Sequence, residues 1–521
     1  MKINIKHLVL LSIILAAAFA VRFYDLETSS FEGHILRDIE IAESIAYDHE
    51  IRLAGVTHKI EQDSGQQSFG PLYYYMLALP LMFTKDSISN PIIIISIIAL
   101  LNVCAVFLLY RLGKDFFSEK VGLIAATLLA LSPWDILYSR FITTPNFLPF
   151  FVIILAYSLL KIVLKKDYRY FIPLAVAGAL SLHFHLSVLF LAPVVGLILV
   201  LSKLELKPKY VLACIAIFAL ALAPMLYYNI SNDSLGSLNF LSERIGEEFS
   251  RSEAALESFG IPLVVSSNYL GKYWFGNANI FSDFGNWFYL ASSVLIASLF
   301  IFGMIYLARN FVKKKSYGVL LDWILIPILI IVLLGKNVSP HFFVIIMPAM
   351  FIVIALALEH LSKKTALAYL LLAIVIISNV FTFYTAFDFL QENGGTSSAF
   401  GLSYKAKMEV VDYITSIAPD KTTPIFFLDY NKRDFLYLFN KLGYTNISGI
   451  SLEEFEKQKE GVLIVDRYSM FGYAEHKLTE EQNDFLDKAD KITIKNIEIV
   501  SAPGEIGRNY KVIPTPQIYM N

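Results

Sequence analysis

The sequence has little charge and few cysteines for a chain of 521 residues. Asp, Glu, Lys and Arg make up 17% of it, against about 25% in an average soluble domain. Because 43 Lys and Arg are balanced by 45 Asp and Glu, the basic excess of a nucleic-acid-binding protein is missing. Cys104 and Cys214 both lie in apolar runs, which excludes a disulfide framework and a cysteine-based metal site.

Long apolar runs take the place of the missing charge. Hydrophobic residues make up 56% of the chain, and its mean hydropathy is +0.58. About 20 apolar residues in a helix cross a bilayer. The longer runs lie at 7–21, 91–110, 121–133, 146–164, 170–186, 187–202, 210–230, 286–308, 319–335, 341–358 and 366–384, and a shorter one lies at 70–83. We therefore predict a mainly α, polytopic transmembrane helical bundle.

Basic residues collect in turns between these runs. They are Arg111, Lys114, Lys120, Lys165, Lys166, Lys203, Lys207, Lys209, Lys313, Lys314, Lys315, Lys363 and Lys364. Because basic turns face the cytoplasm, they predict a multi-pass plasma-membrane protein with a cytoplasmic N-terminus, provided that 70–83 does not fully cross. Three polar segments then lie outside: a first external loop at 22–69, a large external loop at 231–285 and everything after about 388.

The residues after about 388 have the pattern of a separate domain. A linker-like segment at 392–398 comes first. Helical patterns at 404–417, 432–442 and near 477–488 then alternate with strand-like segments at 424–429, 461–466 and 491–500. This alternation predicts a transmembrane domain over 1–387 and a small extracytoplasmic α/β domain over 388–521. No nucleotide-binding fingerprint follows a predicted strand, so we assign this domain no catalytic role.

The polar segments of the bundle carry the candidate functional groups. In the first loop, Arg37 and Asp38 lie in a segment whose apolar neighbours predict an amphipathic helix on the membrane surface; a solvated loop is the alternative. Arg140, in a predicted external turn, is suited to binding a phosphate or to anchoring the turn at the interface. His185 and His341 lie at the same predicted face. The spacing of His183 and His185 suits a metal site only on a strand, so we assign no metal ligand.

Four motifs in sequence order resemble a known family. They are Arg37–Ala42, Gly70–Tyr75, Leu131–Phe141 and Pro340–Pro348. Together they resemble the polytopic glycosyltransferases of the GT-C class, in particular family 39 and its relatives, the protein O-mannosyltransferase and lipid A aminoarabinose transferase group. The likeness covers about residues 7–360, whereas the segment after 388 is similar only in position.

The resemblance implies a polyprenyl-phosphate-linked sugar donor and a lipid, glycan or protein acceptor on the outer face. It also implies that Asp38, with Glu40 beside it, acts as general base. The acid of the common Asp-Glu form would fall at His34, and Glu32 remains an alternative acid. Phe69 stands where many relatives have Lys, so the donor phosphate would depend on other cations.

The expected site therefore has two catalytic carboxylates and several substrate-binding groups. The substrate-binding residues are Arg37, Tyr73, Tyr74, Arg140, His185 and His341. We assign no cofactor, although a divalent cation stays open, and the partners are membrane lipids and the two substrates. A multi-span transporter or lipid-linked-glycan flippase is the alternative function, which charged mid-membrane helices and inverted repeats would favour. The sequence has no clear repeat.

Overall fold

A computed structural model describes most of the chain. It covers residues 5–55, 57–58, 67–68, 70–204, 207–232, 260, 275, 283–334, 340–396, 400–428, 433–455, 457–458, 461–466, 491–494 and 497–501. Most of the large loop predicted at 231–285, the helix predicted near 477–488 and Phe69 lie outside these residues.

The described residues before 394 form a bundle of helices. Its helices are α1 Ile5–Phe23, α2 His34–Tyr47, α3 Leu72–Leu81, α4 Asn90–Phe116, α5 Glu119–Ala130, α6 Pro133–Tyr138, α7 Leu148–Lys165, α8 Phe171–Ser181, α9 Leu191–Leu201, α10 Pro208–Ser231, α11 Asp283–Asn310, α12 Lys315–Leu334, α13 Met347–Ser362 and α14 Leu367–Asn393. Each of the longer apolar runs contains one of them. Within the described ranges, seven helical segments are long and apolar enough to cross a membrane. The protein is therefore an integral membrane protein.

The run at 70–83 forms a helix too short to span a bilayer alone. Helix α3 has ten residues and is about 15 Å long at about 1.5 Å per residue. The hydrocarbon core is about 30 Å thick. Pro71 precedes the helix and Pro80 lies inside it, so the backbone is interrupted at both ends of this segment.

The connections between helices gather at two ends of the bundle. At one, the polar end, Arg140 contacts Asp25 and His185 contacts His341. At the other, the basic end, Lys114 pairs with Glu119. The basic end also joins α5 to α13 and α14, because the Lys120 ammonium donates to the hydroxyls of Ser362 and Tyr369.

Close helix packing at the basic end depends on two glycines. A Cβ atom on Gly113 of α4 would lie 2.5 Å from the Cα of Gly122 on α5. Since real Cβ atoms do not approach so closely, the crossing requires that both positions lack a side chain. Small residues allow helix backbones in membranes to pack in direct contact.

The described residues after 400 form helices and a sheet of five strands. The helices are α15 Tyr404–Ile417, α16 Arg433–Lys441 and α17 Leu452–Phe455; the strands are β3 Ile425–Leu428, β4 Ile447–Ile450, β5 Val462–Asp466, β6 Lys491–Ile494 and β7 Ile497–Ser501, after a short β1–β2 pair, Thr57–His58 and Gln67–Ser68, in the first loop. The sheet order is β4-β3-β5-β7-β6, and both neighbours of β3 are parallel to it.

Three details of this region differ from the sequence prediction. The segment 491–500 is an antiparallel pair, β6 and β7, rather than one strand. Strand β4 was not predicted, because Gly449 interrupts its short apolar pattern. Helix α14 continues to Asn393, past the proposed domain boundary between 387 and 388.

Candidate active site

Asp38 is the centre of a buried polar cluster at the polar end. Its side chain is on helix α2, and the residue is 1% exposed. Its Oδ1 atom accepts hydrogen bonds from Arg37 Nε at 2.9 Å, Arg37 Nη2 at 2.8 Å and the Tyr74 hydroxyl at 3.2 Å. Its Oδ2 atom accepts one, from the Tyr73 hydroxyl at 2.9 Å. Oδ2 is therefore the carboxylate oxygen with more acceptor capacity left.

Helix α2 forms in this position because its apolar residues fall on one face. Ile35, Ile39 and Ala42 recur at helical spacing and are buried, and the helix packs against α3. Gly33 precedes α2 with φ 52°, a conformation that glycine adopts without a Cβ penalty. A helix with one apolar face is thus present, packed within the protein, and it holds Asp38 towards the first turn of α3.

Burial and the neighbouring charges together keep the hydrogen-bond donors of the cluster protonated. Burial alone would lower the pKa of Arg37, but the adjoining Asp38 carboxylate outweighs this and the net pKa is raised. Burial first, and Asp38 second, raise the pKa of Tyr73 and of Tyr74. Both phenols therefore remain hydrogen-bond donors to Asp38 at neutral pH.

Aromatic contacts lead from this cluster towards the predicted histidines. The Tyr73 ring meets Phe147 edge-on at 5.9 Å, and Phe147 stacks on Phe184 at 4.9 Å. His185 follows Phe184, and its ring lies 5.1 Å from that of His341. The structure thus brings His185 and His341 together, as members of the same polar end as Asp38. Phe147 and Phe184 were not singled out from the sequence.

Gly70 precedes helix α3 at a position where a side chain would collide with His183. The His183 side chain is buried beside it, and the Leu72 amide donates to His183 Nδ1 at 3.4 Å. A Cβ atom on Gly70 would lie 1.8 Å from the same ring nitrogen. Burial also lowers the pKa of His183, so its ring is neutral at neutral pH. His183 therefore fixes the start of α3.

Replacing Gly70 by Ala is expected to destabilise the protein by about 1–3 kcal/mol, because the added methyl group overpacks the contact with His183. Thermal unfolding in detergent measures the loss. Adding His183→Ala should recover much of it, since the ring is the obstacle. Gly196→Ala is the matched control, because a Cβ atom there meets nothing within 4 Å. Equal stability of the Gly70 and Gly196 variants would contradict the steric explanation.

Arg140 lies elsewhere at the polar end, and its guanidinium bonds groups of the protein. It is 1% exposed, donates to the backbone carbonyls of Tyr24 and Asp25, and lies 4.4 Å from the Phe387 ring centre. Burial lowers the pKa of Arg140 to about 9, so the group keeps its charge at neutral pH. The structure therefore does not bring Arg140 to Asp38, and its guanidinium ties the first loop to α14.

The two other acids of the first loop face the C-terminal residues. Glu40 pairs with Arg433 at 2.8 Å, on a different side of α2 from Asp38, since residues two apart on a helix do not face each other. The Glu32 carboxylate accepts from the Leu402 amide at 2.9 Å. The structure brings neither acid to the Tyr73 and Tyr74 hydroxyls.

Asn146 organises the turn that carries Arg140. Its amide nitrogen donates to the carbonyls of Tyr138 and Phe141. The backbone carbonyl of Asn146 accepts from the side-chain amide of Asn102 at 3.1 Å. An ionised Asp cannot donate these bonds, so the geometry of this turn requires the amide of Asn146.

The described ranges contain no group of three or more His, Cys, Asp or Glu side chains arranged to hold a metal ion. Asp38 is surrounded by donors of hydrogen bonds rather than by further metal-binding oxygens. Oδ2 of Asp38 accepts a single hydrogen bond, so a further hydroxyl group can donate to it.

Comparison with known proteins gives a family match and a fold match. Residues 68–228 match the model of the dolichyl-phosphate-mannose-protein mannosyltransferase family. ArnT from Cupriavidus metallidurans in the apo state has a similar structure, with 11% identity and a TM-score of 0.57 over 94% of this chain and 97% of that chain. The same protein bound to undecaprenyl phosphate matches with 9% identity and a TM-score of 0.55 over 97% and 99%. No curated protein sequence matches the chain.

The chain therefore has a fold similar to that of ArnT, and one segment of it is similar to the dolichyl-phosphate-mannose-protein mannosyltransferase family. The segment that matches the family includes Tyr73, Tyr74, Arg140 and His185. Asp38 and His341 lie outside it, before and after. Asp38 reaches the matched segment through the fold, because α2 packs against the helix that carries Tyr73 and Tyr74.

Proposed function

We propose that this protein is a GT-C-type glycosyltransferase that moves a sugar from a polyprenyl-phosphate-linked donor to an acceptor hydroxyl on the outer face of the membrane, with Asp38 as general base. The observation that carries the proposal is the buried Asp38 carboxylate, held by Arg37, Tyr73 and Tyr74 at the polar end. ArnT, which has a similar fold, has a crystal structure with undecaprenyl phosphate bound. The matched family takes its name from a lipid-phosphate sugar donor, dolichyl-phosphate mannose.

The proposed reaction is a single displacement. The acceptor oxygen attacks the anomeric carbon, the bond from that carbon to the phosphate oxygen breaks, and the lipid phosphate leaves with the electron pair. Asp38 Oδ2 takes the acceptor proton as the attack proceeds. This geometry inverts the configuration at the anomeric carbon. The leaving phosphate gains charge, which Arg37 and His341 are proposed to stabilise.

In this proposal, Tyr73 and Tyr74 position the general base. Their hydroxyl groups donate to both oxygens of Asp38 and so set the orientation of the carboxylate. Glu40 and Arg140 take no direct part, because their charged groups are already paired or bonded within the protein.

The direct test supplies purified protein with a short-chain polyprenyl-phosphate sugar and a set of lipid, glycan and peptide acceptors. The expected result is sugar transfer, or slow release of free sugar, together with one lipid phosphate per sugar. Inversion at the anomeric carbon is read from the product by NMR. Movement of the donor across vesicles without cleavage of the sugar–phosphate bond would contradict the proposal and favour a flippase.

The proposed orientation can be tested by cysteine labelling. Ile51 is 80% exposed in the first loop, whereas Val312 is 83% exposed at the basic end. In a chain with Cys104 and Cys214 replaced by Ser, a membrane-impermeant maleimide should label Ile51→Cys on intact cells. Val312→Cys should react only after permeabilisation, because basic turns stay in the cytoplasm.

The reverse labelling pattern would contradict the proposed orientation. Reaction of both variants on intact cells would indicate leaky membranes, which a cytoplasmic marker enzyme detects independently.

A further inference from the structure

The C-terminal residues contact helix α2 on the side away from Asp38. Along the back of α2, Arg433 pairs with Glu40 at 2.8 Å. One turn further on, Glu43 accepts from the Tyr437 hydroxyl at 2.6 Å and pairs with Lys441 at 3.0 Å. All three partners lie on helix α16, so one helix of the α/β region follows one face of α2.

A buried lysine fixes the chain just before α2. Lys407 has a fully buried side chain, and its ammonium donates to the carbonyl of Phe31 at 2.6 Å and to the carboxylate of Asp434. The Glu32 carboxylate lies 3.5 Å from the same ammonium. A buried ammonium with these partners is strongly constrained in position, because losing one of them leaves an uncompensated charge.

Backbone hydrogen bonds join the C-terminal residues to the chain just before α2 as well. The Phe31 amide donates to the Leu402 carbonyl at 3.0 Å, and the Tyr404 amide donates to the Ser29 carbonyl at 2.9 Å. The first loop and the start of α15 are therefore joined by main-chain bonds of the kind found between strands. These contacts are present in addition to the side-chain pairs along α2.

We infer that the C-terminal α/β region is a positioning element of the active site, which sets the place of Asp38 by clamping α2 through Lys407, Arg433, Tyr437 and Lys441. The inference rests on the proposed role of Asp38 and extends it to residues far away in sequence. It also gives Glu40 a definite role: Glu40 is a docking residue for Arg433. If Glu40 serves only to pair with Arg433, exchanging the two charges should restore activity. If the Glu40 carboxylate takes part in catalysis, the exchange cannot restore it.

A charge-exchange series tests this inference. Glu40→Arg and Arg433→Glu are each expected to lower kcat by about three- to tenfold, as like charges then face each other. The KM for the donor should change little, because neither group contacts the donor. The double variant, with both changes, should recover most of kcat, which is impossible if the Glu40 carboxylate takes part in the chemistry.

Hydrogen exchange of the amides in residues 34–47 supplies a measurement independent of activity. Each single variant should exchange faster there, because the clamp is loosened, and the double variant should return towards the wild-type rate. Lys457→Glu is the control: it reverses a charge in the same region, at a residue that pairs with Glu453, four positions before it. This control should alter neither kcat nor exchange in 34–47.

The outcomes separate the clamp from the proposed function. Unchanged exchange in both single variants, or a double variant as slow as the worse single one, would overturn the clamp. If the wild-type protein transfers no sugar but exchange follows the expected pattern, the proposed function fails and the clamp stands.

Lys407 supplies a second route to the same conclusion. Lys407→Met should accelerate exchange in 34–47 and lower kcat, because the residues just before α2 lose the ammonium that holds them. Lys407→Arg keeps a cation at this position and should recover part of both effects. A Lys407→Met variant with the wild-type exchange and kcat would contradict the inference.

Discussion

Asp38→Asn is expected to lower the rate of sugar transfer by about 10²- to 10⁴-fold, the usual contribution of a general base. The amide has nearly the shape of the carboxylate but cannot accept the proton of the acceptor hydroxyl. Arg37 and Tyr74 can still donate to its oxygen, so the cluster retains hydrogen bonds that hold α2 against α3. Steady-state transfer at saturating donor measures the loss.

Glu40→Gln is the matched control for this variant. It makes the same change from acid to amide on the same helix, yet Glu40 faces Arg433 rather than the tyrosines. Its effect should be that of one exposed ion pair, worth about 0.2–1 kcal/mol, or less than about fivefold in rate.

The stability and donor affinity of the Asp38→Asn variant decide how its activity is interpreted. An unchanged unfolding temperature and donor affinity, with transfer lost, would support a chemical role. More than about a tenth of the wild-type rate would refute it, since a general base contributes at least about a hundredfold. Loss of activity in the Glu40→Gln control as well would point instead to a disturbance of α2 as a whole.

Asp135→Asn is expected to destabilise the bundle by about 3–5 kcal/mol, because it leaves a buried arginine without its counter-ion. Arg22 of α1 is completely buried and bonds Asp135 of α6. The same guanidinium donates to the carbonyls of Ala130 at 2.8 Å and Leu129 at 3.0 Å. Denaturant unfolding in detergent, followed by tryptophan fluorescence, gives the free energy of unfolding.

Two further variants test the cause of this loss. Arg22→Met combined with Asp135→Leu removes both charges and should be more stable than Asp135→Asn alone, since no unpaired charge remains. Arg169→Gln breaks a pair with Asp167 in which the Arg169 side chain is 82% exposed. It should cost no more than about 1 kcal/mol. Similar losses for Asp135→Asn and Arg169→Gln would contradict the importance of burial.

For the buried charges, the sequence indicated which residues face the core but not which residues they pair with. Lys407 stands at helical spacing with Val410, Val411 and Ile414, the buried stripe of α15. This pattern was a signal that the lysine faces the core. The partners Asp434 and Phe31 are distant in the sequence, so no local pattern identifies them. Arg22 likewise shares a face of α1 with Ala18, but its pairing with Asp135 depends on how two helices pack.

The candidate site was predicted in part for the same reason. Asp38 and the two tyrosines were chosen as separate motifs, and packing of α2 on α3 brings them into hydrogen-bond contact. His185 and His341 were also chosen separately and lie side by side. Arg140, however, was expected to be open to a phosphate. A turn sequence does not reveal that the guanidinium bonds backbone carbonyls 115 and 116 positions away in the chain.

By itself, the sequence determined that the chain is an integral membrane protein, that its apolar runs are helices and that its basic turns collect at one end. These properties depend on local composition, because each helix satisfies its own backbone in lipid and each run carries its own hydrophobicity. Only the tertiary structure decided which acid of the first loop faces the tyrosines and which faces the C-terminal residues. Asp38 and Glu40 are two positions apart, and their different partners follow from what packs against each side of α2.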